Sequence, residues 1–71
     1  MKFDEAFEWW LQQGDNKDFE VIRKANVDFG ELCFVEIFWT YKGKGGRDRV
    51  YKSGGGYEVI EVYDSGRKNN G

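Results

Sequence analysis

Residues 31–42, ELCFVEIFWTYK, decide the fold. The run is rich in β-branched and aromatic residues and apolar at both parities, which predicts a central strand with groups packed on each face. Upstream, Phe19, Val21, Ala25 and Val27 alternate with Glu20, Lys24, Asn26 and Asp28, interrupted by Ile22 and Arg23. That period of two predicts a second strand, joined to the first through a turn at Asp28-Phe29-Gly30. Downstream, Lys42 to Gly46 (KGKGG) reads as a flexible connection, residues 47–52 (RDRVYK) as a short charged strand, residues 53–56 (SGGG) as a turn and residues 57–63 (YEVIEVY) as a final strand. Residues 65–71 read as a flexible tail. The chain has no Pro to interrupt a ladder.

Ahead of the strands the period changes. Phe3, Ala6, Phe7, Trp10 and Leu11 recur at spacings of three and four, which predicts a helix over residues 3–13 with one apolar stripe. Asp4 and Glu5 lie in its first turn, where they complement the dipole, and Gly14 is a natural stop. The expected architecture is α+β: one N-terminal helix packed on a four-stranded antiparallel β-meander, in a single domain over residues 1–64.

The register of the first hairpin sets the faces. A three-residue loop places Phe19, Val21, Ala25 and Val27 beside Cys33, Val35, Ile37 and Trp39, and is preferred because it gathers the two most apolar sets. A two-residue loop instead groups the first set with Leu32, Phe34 and Phe38, and sets Arg23 opposite Glu36. A one-residue slip exchanges the faces. In the preferred register the second face carries Leu32, Phe34, Glu36 and Phe38, joined by Tyr51, Tyr57, Val59, Glu61 and Tyr63 according to the later registers. One helix cannot cover both faces of such a sheet, so an aromatic face studded with carboxylates is expected to meet solvent or a partner.

Composition narrows the chemistry. The 71 residues include no His, so no His-dependent triad or imidazole base is available, and a catalytic role is not expected. Cys33 stands alone, which excludes an intrachain disulfide and fits a reducing, cytoplasmic setting. No metal site or cofactor is expected. The start, MKFDEAFEWW, turns acidic by residue four and has no apolar stretch of the signal-peptide kind. No apolar run approaches the length of a membrane span.

Charge is polarised along the chain. Residues 1–20 carry Lys2 and Lys17 against Asp4, Glu5, Glu8, Asp15, Asp18 and Glu20, whereas residues 42–55 carry Lys42, Lys44, Arg47, Arg49 and Lys52 against Asp48. With Tyr41 and Tyr51 interleaved, the basic segment has the composition of a single-strand nucleic-acid surface, or of a charged hairpin that protects a sheet edge. Its glycines match neither the Walker nor the dinucleotide pattern and read as turns. Glu36 and Glu61 read as ion-pair partners of Arg23 or Arg49 rather than as an acid–base pair.

Trp9 lies roughly 130° from the centre of the helical stripe, at about 100° per residue. An exposed Trp is a candidate binding anchor, or it covers the sheet edge. The expected function is therefore a small non-catalytic protein that occupies a partner protein's surface, using Trp9, Glu5 and Glu8 on the helix and Phe34, Glu36 and Phe38 on the sheet. In size, acidity and lack of catalytic residues the chain resembles small phage- or mobile-element-encoded inhibitors, anti-CRISPR proteins among them, which implies an anti-defence role. The alternative is a nucleic-acid-binding module using Tyr41, Lys42, Lys44, Arg47, Arg49, Tyr51 and Lys52. A third reading is self-assembly into a homodimer through a sheet edge or the aromatic face.

Overall fold

The structure, a computed structural model, describes residues 1–64. A helix, α1 (Phe3–Leu11), and a single 3-10 turn (Asn16–Asp18) precede four strands: β1 (Glu20–Phe29), β2 (Leu32–Tyr41), β3 (Lys44–Ser53) and β4 (Gly56–Asp64). The strands form one antiparallel sheet in the order β1-β2-β3-β4, with α1 on one face. This is the expected α+β meander. The tail expected over residues 65–71 lies outside the described residues.

The helix ends at Leu11, the last residue of its apolar stripe and two residues short of the expected span. Its last carbonyls are taken by amides of the following loop: Gln13 Nε2 donates to the Trp9 carbonyl at 2.9 Å, and the buried Asn16 Nδ2 donates to the Trp10 carbonyl at 2.8 Å. Gly14, at φ 51°, lets the chain leave the axis. The backbone N–H groups of Gln12 and Gln13 reach the same two carbonyls at 3.1 Å, so each accepts a second bond from a side chain.

Ala6 and Trp10 of α1 bury completely against Val35, Ile37 and Trp39 of β2 and Val50 of β3. Phe19 enters between them from the start of the sheet. Its ring stacks on Trp39 at 4.2 Å and meets Trp10 edge-on at 6.1 Å. Among the described residues no helix is long and apolar enough to cross a membrane.

The first hairpin departs from the preferred register. Its turn is Gly30-Glu31, not Asp28-Phe29-Gly30, and Phe29 pairs with Leu32. Val27 then lies opposite Phe34 and Ala25 opposite Glu36, on the face away from the helix. Arg23 lies opposite Phe38, not Glu36. A bulge at Ile22 restores the other parity, so Val21 pairs with Trp39 on the helix side. Each proposed grouping thus holds for half of β1. The physical reason is reach. A nine-residue helix is about 13 Å long, whereas a ten-residue strand runs about 33 Å. Only the first part of β1 lies under the helix, and there it supplies Val21. Farther along, it turns Lys24, Asn26 and Asp28 to that side and its apolar residues to the other.

The basic segment also differs from expectation. Lys42 and Gly43, both at positive φ (52° and 80°), make a tight two-residue turn, and β3 begins at Lys44. β3 is an inner strand, so it does not protect an edge. Gly46 lies within it, paired with Trp39. A Cβ there would sit 2.6 Å from Trp39 Cε2 and 2.8 Å from the Tyr63 carbonyl oxygen, so the glycine gives the indole its seat. β4 carries a second bulge, at Val62, between the pairs Arg47–Tyr63 and Asp48–Glu61.

Candidate functional site

The face turned away from α1 is organised around Glu36. Arg49 Nε donates to Glu36 Oε2 at 2.8 Å, and Arg47 Nε lies 3.6 Å from the same oxygen. Cross-strand pairing causes this: Glu36 on β2 faces Arg49 on β3, with Arg47 one position along the same face. The guanidinium planes then lie over aromatic rings. Arg49 sits 4.6 Å from the Phe34 ring centre, and Arg47 and Arg23 sit 5.5 Å and 5.7 Å from that of Phe38. Glu36 also holds the Arg49 guanidinium above its usual value, chiefly through their hydrogen bond.

Arg47 and Arg49 on Glu36, with Arg23 beside Phe38, give this patch a cationic middle. Its apolar corners stay bare: Phe29 is 75% exposed, Leu32 49%, Ile60 48% and Tyr63 59%. Phe34 is covered by Arg49 and by Tyr51, whose ring lies 5.1 Å away, so it packs rather than protrudes. Sequence reasoning placed Phe34, Glu36 and Phe38 on this face but missed Phe29, which it assigned to a turn. Glu61 falls on the helix side, opposite Asp48, and is not near Glu36 in the sheet.

Trp9, Glu5 and Glu8 lie elsewhere. Trp9 is half-buried, its ring 5.8 Å from Tyr57 on β4, so it covers the sheet edge. Tyr57 donates its hydroxyl to Glu5 Oε1 at 3.3 Å. Together with Glu8 these residues line a shallow acidic groove between α1 and β4.

The basic residues divide as well. Arg47 and Arg49 join the open face with Tyr51, while Lys52 is exposed beyond them, paired across the ladder with Tyr57. Tyr41, Lys42 and Lys44 belong to a cleft at the opposite end of the sheet, with a cavity volume of about 500 Å³. Its wall is Phe19, Trp39 and Tyr41, with the Tyr41 ring 5.2 Å from Phe19. Gln13 and Asp15 close the side nearest the helix. Tyr41 and the two lysines were legible as a basic aromatic run. Gln13, Phe19 and Trp39 were not, because the loop and the sheet meet only in the folded chain.

Comparison with protein-family models, curated proteins and solved structures returned no match.

Proposed function

We propose that this is a small non-catalytic binding protein that acts by occupying a partner protein's surface with its bare sheet face. One observation carries the reading: Phe29, Leu32, Ile60 and Tyr63 stay exposed around a cationic centre on the sheet face turned away from α1. Apolar corners exclude water from a contact, and guanidinium groups already ordered by Glu36 lose little freedom when they meet acidic or carbonyl groups. A domain of this size inhibits by covering its target, which fits the phage-like, anti-defence type that its size and acidity resemble. Division of the cations between the open face and the cleft on the helix side weighs against an extended nucleic-acid track.

The test is affinity capture with cross-linking from a host lysate, using the wild type, a Phe29→Ser/Leu32→Ser variant and a Trp9→Ala variant. The sheet-face variant should lose the captured protein while keeping its melting temperature. Capture that survives in that variant but disappears with Trp9→Ala would move the contact to the helix groove and overturn the sheet-face reading.

A further inference from the structure

The cleft beside the β2–β3 turn lies away from the proposed partner face, and its chemistry is different. Phe19, Trp39 and Tyr41 make one aromatic wall. Such walls attract either cations or flat rings. Lys42 Nζ lies 5.2 Å from the Tyr41 ring centre, and as an exposed, flexible side chain it can yield that face to a flat ring while keeping its charge at the lip. Lys44 lines the same cleft, so its charged lining is two lysines against one carboxylate, Asp15. An entering group is therefore favoured if it is flat and carries negative charge.

Gln13 adds a polar contact. Gln13 lines the cleft with its amide nitrogen donating to the Trp9 carbonyl at 2.9 Å, and its amide oxygen is an acceptor. An amino group on the edge of a ring matches that acceptor. The volume of about 500 Å³ lies in the range of small-ligand sites.

We propose that this cleft binds a nucleoside monophosphate. The base packs against the Tyr41 side of the aromatic wall, its amino edge meets Gln13, and the phosphate lies between Lys42 and Lys44. Lysine suits this role as a mobile point charge for phosphate.

The experiment is a titration of the whole protein with adenosine monophosphate, adenosine and inorganic phosphate, followed by amide and indole N–H resonances. Adenosine monophosphate should shift Trp39, Tyr41, Lys44 and the Gln13 side-chain amide saturably, and should bind at least about tenfold tighter than adenosine or phosphate alone. A Lys42→Gln/Lys44→Gln variant should bring its affinity down to that of adenosine, with an unchanged melting temperature. Added salt should weaken binding of the wild type more than of the variant. No saturable shift at millimolar nucleotide would overturn the proposal. So would equal binding of adenosine and its monophosphate, or shifts confined to the sheet-face arginines. The sheet-face variant retains every cleft residue, so failure here leaves the partner reading to be judged by its own test.

Discussion

Trp10 donates its indole N–H to Asp48 Oδ2 at 2.8 Å, across the interface between α1 and β3, with both residues fully buried. The bond ties the helix to an inner strand and shares in satisfying a carboxylate that is costly to bury. Trp10→Phe keeps an aromatic ring in the core but removes the donor. It should lower stability by about 2–3 kcal/mol, read as a fall in the urea midpoint at constant slope. A variant as stable as the wild type would mean that this bond contributes nothing.

Gly46→Ala tests the seat of the Trp39 ring. The added methyl meets the indole and the Tyr63 carbonyl at once, so both β2 and β4 must give way. Overpacking of this kind should cost about 2–3 kcal/mol. The same change at Gly55, where a Cβ meets nothing, is the control and should leave the thermal midpoint almost unmoved.

Cys33 donates its thiol hydrogen to Asp28 Oδ1 and to the Gly30 carbonyl, each at 3.2 Å. The bond to Asp28, followed by desolvation and the negative charge of Asp28, pushes the thiol above its usual value. Thiolate is the reactive form, so Cys33 should react with a disulfide reagent near neutral pH more slowly than a free thiol. Asp28→Asn should move the rate–pH curve to lower pH and accelerate the reaction. Identical curves for the two proteins would show that the carboxylate does not govern the thiol.

Burial, reinforced by the neighbouring Glu5 carboxylate, lifts the Tyr57 hydroxyl above its usual value. The folded state therefore favours the protonated phenol. Its contribution is fully present below the ordinary tyrosine value of about 10 and is lost as pH rises through the raised folded value. Stability should fall in that alkaline window, and Tyr57→Phe should flatten the fall. An unaltered alkaline limb in the variant would assign the pH dependence to other groups.

Much of the element order is legible in the chain because its periods are clean: three-to-four spacing from Phe3 to Leu11, and strand-like runs from Phe19 onward. Ala6 and Trp10 fall at the centre of the stripe and are the helix's fully buried residues. The faces of β1 were harder to read. Val21, Ala25 and Val27 share one parity, and only a break at Ile22 divides them between two faces. The adjacent apolar pair Val21-Ile22 was the local sign of that break. β3 was misread for a different reason. Arg47, Asp48 and Arg49 look like edge residues, yet Glu36, the Phe34 and Phe38 rings and Trp10 make an inner position tolerable for them. Likewise the KGKGG glycines look like loop, whereas Gly46 is required by a ring that arrives from the neighbouring strand.

The two bulges fall on the two outermost strands, at Ile22 and at Val62. Each breaks the even spacing of backbone groups that a strand from another molecule would need for docking, and each adds local twist. Neither margin offers an unbroken template for a fifth strand. An aromatic-rich chain whose long outer strands would otherwise invite fibrous growth is thereby biased toward contacts through side chains. The sheet can be covered by another molecule more readily than it can be lengthened by one.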